Sequence, residues 1–344
     1  VIALDTAGGS QRRRLGVLMV IGAAGLLALV GIALFVGSAA LPAGEVAAVL
    51  AGGGDPTAST VVWRLRLPRI AAAVVAGGAL AVAGVGFQAL TRNPLAEPSV
   101  LGVSSGAAFG VVVGQLAGGP DSLGHAVALT ACGFAGAVVA GTAVYLIAAV
   151  DGALPVQTLL LAGVIVGIFF ASALTVVTSI VDINRLGGIV HWLLGNVTAL
   201  GPASLAVFVL VTAAGAALVV GHARQLNVLA LGEEAALQLG VDAEPLKRRI
   251  FTGAALLTSA VVAFAGPIGF VGLVVPHALR MLVGADNRVL APTALLAGGA
   301  FLLAADTLAR NVIAPAELSV GVITSFCGAP VFIYLLRTRP GAMP

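Results

Sequence analysis

Ile70-Ala-Ala-Ala-Val-Val-Ala-Gly-Gly-Ala-Leu-Ala-Val-Ala-Gly-Val-Gly-Phe-Gln-Ala-Leu-Thr91 carries no charged side chain along its whole length. A helix needs about 20 mostly apolar residues to cross the hydrocarbon core of a bilayer, so this stretch suffices for one crossing. Its apolar residues run continuously rather than alternating, which fits a helix and not a strand of a membrane β-barrel. Its glycines and alanines suit close helix packing in lipid, where small side chains let backbones approach.

The pattern recurs on both sides. Runs free of Asp, Glu, Lys and Arg cover 15–44, 98–120, 122–150, 152–181, 186–223, 250–279, 289–305 and 318–336. The 186–223 and 250–279 runs leave room for extra short helices, and 289–305 borrows flanking residues. The expectation is an all-α polytopic membrane protein of nine or ten spans. Composition agrees: of 344 residues, 60% are hydrophobic and 9% charged, and the mean hydropathy is +1.12. A soluble domain carries roughly 25% charged residues, so a chain this poor in charge could not cover its own surface in water. Cys132 and Cys327 both lie in apolar runs, which indicates neither a disulfide framework nor a metal cluster.

Charge placement sets orientation. Arg12, Arg13 and Arg14 precede the first run, and Arg337 and Arg339 follow the last. The run from 15 exceeds the roughly 7–15 residues of a signal peptide's apolar region, and is read as a retained helix. The positive-inside rule puts both termini in the cytoplasm, which requires an even number of spans; ten fits better than nine. Residues 1–14 are then a cytoplasmic tail, 15–337 one transmembrane domain, and 338–344 a second tail. Arg92, Arg224, Lys247, Arg248, Arg249, Arg280 and Arg288 also fall on the cytoplasmic side. Arg64, Arg66, Arg69, Arg185 and Arg310 fall outside. The Arg64, Arg66 and Arg69 cluster runs against the bias.

Two segments do not span. Thr91-Arg-Asn-Pro-Leu-Ala-Glu-Pro98 is a polar turn whose prolines stop one helix and restart another; a tight inter-helix loop and a gating element are both open. The most hydrophilic segment, 224–249, contains Leu231-Gly-Glu-Glu-Ala-Ala-Leu-Gln-Leu-Gly240 and then Lys247-Arg-Arg249. Gly232 and Gly240 bracket a short amphipathic pattern, with Ala235, Ala236, Leu237 and Leu239 available for one face. A short helix pair held between two spans would be a docking surface for a soluble partner. Arg69-Ile70 to Ala83-Gly84 and Arg249-Ile250 to Ala265-Gly266 also form a faint repeat. If the two run in opposite directions, they are the mark of an inverted-topology transporter.

The chemistry is narrowed by what the residues lack. Lys247 is the only lysine and is followed by Arg248, so no Gly-Lys-Ser/Thr phosphate loop exists here. ATP and magnesium, if used, sit on another subunit, and no cofactor is expected on this chain. His125, His191, His222 and His277 show no metal-ligand spacing. Asp306 and Arg310, four apart, form an intrahelical ion pair most simply. Proton-coupled carriers bury ionisable residues in mid-membrane, and these spans are almost bare of them. A receptor, a membrane-embedded enzyme and a secondary transporter are the rival classes; no polar catalytic cluster is visible within the spans.

A specific resemblance rests on ordered stretches. These are Arg66-Leu-Pro-Arg69, Gly77-Gly-Ala-Leu-Ala-Val-Ala-Gly84 with Gln88, Asn93-Pro-Leu-Ala-Glu-Pro98 and Leu101-Gly-Val-Ser-Ser-Gly-Ala107. Then come Leu161-Ala-Gly163, His191-Trp-Leu-Leu-Gly195, Leu229-Ala-Leu-Gly-Glu-Glu234, Leu239-Gly240 and Gly269-Phe-Val-Gly-Leu-Val-Val-Pro-His277. Ala304-Ala-Asp-Thr-Leu-Ala-Arg310, Glu317-Leu-Ser-Val-Gly321 and Gly328-Ala-Pro330 complete the set. In this order they resemble the permease subunit of type II ABC importers, the FecCD and BtuC-like family that takes up ferric siderophores, haem and vitamin B12.

The resemblance implies ten helices per subunit in a bacterial inner membrane. It implies a second permease copy, identical or different, two ABC ATPase subunits, and an extracytoplasmic substrate-binding protein, with lipid around the bundle and no nucleic acid. It makes Arg66, Arg69 and Arg310 docking residues for glutamates of the binding protein. It places Asn93 and Leu95 at the cytoplasmic gate with Val156 and Gln157, where the cobalamin permease has small hydroxyl residues. Leu231, Gly232, Glu233, Glu234, Ala235, Leu239 and Gly240 match the short helices that seat in the ATPase groove. The 88–95 and 314–318 stretches read like ferric-siderophore permeases, with haem and cobalamin open.

Overall fold

The computed structural model describes the main chain of residues 2–37, 39, 41–117, 123–181, 183–314 and 316–338. Side chains are described within 11–37, 39, 41–116, 128–181, 186–314 and 316–333. His125, Arg185, Arg337, Arg339 and the tail after Thr338 lie outside the described side chains.

The described residues are helical, with one isolated bridge between Val150 and Ala153. Helix α1 covers Ile2–Phe35, running through the basic triplet, and short α2 covers Ala43–Leu50. Helix α3, Pro56–Thr60, continues through a π-helical turn at Val61–Arg66 into α4, Leu67–Thr91. A 3₁₀ turn at Pro98–Leu101 leads to α5, Val103–Ala117, then α6, Leu123–Ala148, and α7, Val156–Ile180. Helices α8, Ile183–Leu193, and α9, Pro202–Gly221, precede two short helices: α10, Ala223–Leu229, and α11, Glu233–Gln238. The rest is α12, Ala243–Ala265, α13, Val271–Val283, α14, Asn287–Asn311, and α15, Val320–Thr338.

Seven of these are long and apolar enough to cross a membrane, and three shorter apolar helices lie at Val103–Leu116, Val271–Val283 and Val320–Ile333. Ten apolar helices, the number expected from charge parity, therefore occur among the described residues. The short helix pair expected between two spans is α10 and α11.

Helix α4 forms the centre. Its most apolar window is 83% buried within the chain, against 6% for α1 and 22% for α7 and α9. Pro68 stands in its first turn, and Arg92, at φ 51°, closes it ahead of Asn93-Pro94. At about 1.5 Å per residue its length matches the bilayer's apolar thickness.

What lets α4 occupy the centre is its glycine face. A methyl group on Gly77 would overlap the carbonyl of Gly298 on α14, and one on Gly84 would overlap that of Gly272 on α13. The backbones touch without intervening side chains. The relation is reciprocal, since a methyl on Gly298 would meet the carbonyl of Gly77. Near the far end of α4, Gly86 abuts Ile250, close to the start of α12. The two repeat helices thus run in opposite directions, as the faint repeat requires.

Interruptions at the ends are stabilised locally. Phe270, at φ 67°, starts α13, and its backbone N–H donates to Glu97 Oε1 at 2.8 Å. Gln88, 2% exposed, donates to the carbonyls of Gly272 and Leu273 at 3.4 Å and accepts from Arg280 at 3.0 Å. Between α13 and α14, Asp286 accepts from Asn227 of α10 at 2.6 Å and from Arg288 at 2.9 Å, and it also bonds Gln11 of α1. Asn227 in turn accepts from the Asn287 N–H at 2.8 Å. Partial burial pushes the Asp286 carboxyl up, but the hydrogen bonds and charge of Arg288, with Asn227, outweigh it and hold it down to about 2.

Two outcomes follow from this packing. Gly77→Leu forces apart α4 and α14 and lowers the melting temperature in detergent by several degrees, through overpacking on the order of 1–3 kcal/mol. Gly25→Ala, with open space around it, leaves it unchanged. Asp286→Asn lowers the melting temperature at neutral pH. Because the native carboxyl titrates at about 2 rather than 3.8, its stabilisation is complete above about 3.8 and fades as pH falls toward about 2. The gap between Asp286→Asn and the parent therefore closes over that window.

Candidate functional site

Polar chemistry collects at the two ends of the bundle. At one end, α9 hands over to α10 and α11 before α12 begins. Gly232, at φ 111°, opens α11, and Gly240, at φ 77°, closes it. Both positions favour a residue without a Cβ. Glu233 and Glu234 occupy its first turn, where the helix dipole favours carboxylates. Asp242 caps α12, accepting from the Glu244 N–H at 3.1 Å. Only Ala236 of α11 is buried, whereas Leu231, Leu237 and Leu239 are 67%, 68% and 63% exposed. The single apolar face expected on this segment is therefore split. One alanine seats the helix, and three leucines stand outward as an uncovered apolar surface. Ala235 is half-buried, and Glu234 and Gly240 are exposed.

Beneath α11 lies Lys247, on the second turn of α12 and only 2% exposed. Its Nζ is 3.1 Å from Glu233 Oε2 and 2.5 Å from Glu244 Oε1, and it donates to the Leu154 carbonyl at 3.2 Å. The Leu154 N–H donates to Glu244 Oε2 at 2.6 Å, and Arg248 donates to the Gly152 carbonyl at 2.5 Å. An ion buried to this degree costs several kcal/mol unless its hydrogen bonds are made, and here three acceptors meet it. The α6–α7 connection that it grips is a tight turn. Asp151 and Gly152 have φ of 51° and 80°, and Val150 and Ala153 exchange backbone bonds of 3.0 and 2.9 Å.

The two segments singled out as gate elements reach this same place. Asn93, exposed, folds its Oδ1 onto the Leu95 N–H at 2.9 Å, and Leu95 is half-buried. Arg92 beside them approaches Gly232. Val156 is half-buried and Gln157 exposed at the start of α7. A cavity of about 360 Å³ is lined by Arg92, Val156 and Gln157 together with Glu233, Glu244 and Lys247. Val156 and Gln157, expected at the gate, and Glu233, expected at the ATPase contact, thus share one wall, whereas Asn93 and Leu95 do not line it and only their neighbour Arg92 does. Neither Lys247 nor Glu244 is among the site residues expected from the sequence. The signals that could have found them are a lone lysine in the whole chain and a Glu three residues before it.

At the opposite end the arginines form a network. Arg69 donates to Asp306 Oδ1 at 3.0 Å and to Glu317 Oε2 at 2.8 Å. Arg310 Nε lies 3.1 Å from Asp306 Oδ2. Asp306 is wholly buried between the two guanidinium groups, so the expected intrahelical pair is one edge of a larger cluster joining α4, α14 and the α14–α15 connection. Arg66, 4% exposed, donates to the carbonyls of Leu34 and Ala39 at 2.5 and 2.6 Å. Within one chain the three arginines are turned toward their own backbone and carboxylates. Arg69 is the most accessible of them, and Arg64 nearby is exposed. His191, in α8, bonds Asn196 at 3.1 Å.

Comparison with known proteins identifies the family. Residues 25–338 match the model of the FecCD transport family. The chain is 43% identical to the cobalamin import system permease protein of Halobacterium salinarum, over 85% of this chain and 78% of the relative. It is 42% identical to the hemin transport system permease protein of Yersinia pestis, over 81% and 84% of the two chains. Its fold superposes with a TM-score of 0.81 on an inward-facing transporter assigned to the metal-chelate ABC type, at 29% identity over 94% of this chain and 99% of the other. With its all-helical bundle and this match over nearly its whole length, the chain belongs to the FecCD family of ABC importer permeases.

Proposed function

We propose that this chain is the membrane subunit of an ATP-driven importer that moves an iron chelate, a ferric siderophore or haem, into the cytoplasm by alternating access. The observation that carries this reading is the shared wall of the 360 Å³ cavity, where Arg92, Val156 and Gln157 meet Glu233, Glu244 and Lys247. A force applied to α11 has a short path to both gate segments there. Leu231, Leu237 and Leu239, exposed on that helix, are the surface offered to an ATPase subunit carrying ATP and magnesium. The arginine end faces outward, and both termini lie in the cytoplasm. Two permease copies, alike or different, enclose the pathway, and α7 contributes exposed apolar residues such as Leu161, Ile168 and Phe169 to that partner or to lipid.

Outside, a loaded binding protein docks on the arginine rim. Arg69 makes the contact, while Arg66 and Arg310 hold the rim in shape and supply positive potential. Such charges steer and orient encounter more than they add affinity. The pathway walls are apolar or weakly polar, so cargo is held loosely enough to be released, and selectivity rests with the binding protein. A second reading, cobalamin as cargo, is favoured by the 43% identity to a cobalamin permease.

In proteoliposomes containing the chain with its ATPase partner and binding protein, the iron-chelate reading expects ATP-dependent uptake of a ferric siderophore or haem, and the second reading expects cobalamin instead. Leu237→Asp together with Leu239→Asp should abolish both ATPase co-purification and uptake. Uptake that persists without the ATPase and collapses with an uncoupler would identify a secondary transporter. Arg69→Gln should weaken binding-protein association by about tenfold at low salt, with the difference narrowing as the Debye length shrinks. Unchanged association at low salt would remove Arg69 from the docking surface.

A further inference from the structure

We infer that Lys247 is a positioning residue that ties the coupling helix α11 to the connection immediately before α7, so that displacement of α11 is delivered to the gate. The inference rests on the importer reading above and adds to it the element that transmits force. Three features of the geometry support it.

First, Lys247 belongs to α12, yet its ammonium group joins segments that do not otherwise share a strong contact. It reaches Glu233 of α11 at 3.1 Å and the Leu154 carbonyl, two residues before α7, at 3.2 Å. Second, Leu154 is held on both its backbone groups. Its carbonyl accepts from Lys247 and its N–H donates to Glu244, which itself lies 2.5 Å from Lys247. A residue fixed at both groups, with a side chain 1% exposed, cannot slip along its neighbour. Third, the segment beyond Leu154 is stiff. The two-residue turn at Asp151 and Gly152 precedes it, and Pro155 follows it with φ −63° as the cap of α7. Load at Leu154 therefore passes to Val156 and Gln157 rather than being absorbed in a loop.

The charge matters as well as the contact. Glu233 is 41% exposed on its side chain, and Lys247 is 3% exposed. The more exposed carboxylate moves with α11 and the buried ammonium is held on the Leu154 carbonyl, so a shift of α11 pulls on Leu154 through this ion pair. A hydrophobic residue in its place would pack but could not grip a carbonyl and two carboxylates at once.

The test uses the complete transporter in proteoliposomes, with ferric desferrioxamine, haem or cyanocobalamin as cargo, whichever the unmodified complex takes up. Cargo moved per ATP hydrolysed is measured for Lys247→Met, Lys247→Arg and Glu244→Gln. The expected result is a ratio about fivefold or more below the parent for Lys247→Met, substantially restored by Lys247→Arg, with an intermediate loss for Glu244→Gln. A purely structural lysine would lower assembly, uptake and hydrolysis together and leave the ratio unchanged, and that result overturns the inference. If Lys247→Met does not assemble, Glu244→Gln decides: an unchanged ratio there overturns it equally. An unmodified complex that hydrolyses ATP but imports none of the three cargoes would overturn the importer reading and this inference together, which separates that failure from a failure of Lys247 alone.

Discussion

Everything in this molecule is arranged around the contact of α4 with α14 and α13 at glycine. In lipid there is little hydrophobic gain in bringing two apolar helices together, because the acyl chains are as apolar as leucine. Association relies on dispersion contacts, which fall off steeply with separation, and so on how closely two backbones approach. Gly77 against Gly298 and Gly84 against Gly272 let backbone meet backbone at those crossings. This lets α4 be surrounded by α9, α12, α13 and α14 without polar contacts in mid-bundle.

Charge is then confined to the ends, where it joins helices and connections that the apolar packing has already brought into register. At the arginine end, Asp306 is wholly buried between Arg69 and Arg310. At the other, Lys247 sits among Glu233, Glu244 and the Leu154 carbonyl, and Asp286 links α10, α1 and α14. Buried ions of this kind are poor sources of net stability, since desolvation offsets most of the attraction. They are better suited to specifying one geometry, because a shift of either partner leaves a charge unmet. That property fits the alternating access proposed for this importer.

Sequence patterns gave a reliable account of the bundle and an incomplete one of the sites. Helix number followed from charge-free runs, because the bilayer excludes charge at every depth of its core. The position of α10 and α11 followed from the one long hydrophilic segment and its glycines. The face that α11 buries did not. Leu237 and Leu239 fit an inward stripe by periodicity but stand outward, and Ala236 alone seats the helix. On six residues, periodicity cannot say which side has a partner. Glu97, whose carboxylate receives the N–H of Phe270 across 173 residues of chain, looked like part of a turn. Lys247 looked like one of three adjacent basic residues, although Arg248 and Arg249 remain exposed while it is buried.

The amino-acid sequence by itself determined the solvent this protein lives in, the number of its apolar helices and its family. Each depends on composition or on motif order along the chain, and the bilayer enforces them segment by segment. Tertiary structure alone decided which charges meet. Arg69 with Asp306 and Glu317, Leu154 with Lys247 and Glu244, and Glu97 with Phe270 are pairs distant in sequence. Their pairing is set by how far α4, α12 and α14 slide past one another before their backbones lock at glycine. No local pattern records that offset, because it is fixed by the shapes of three helices in contact.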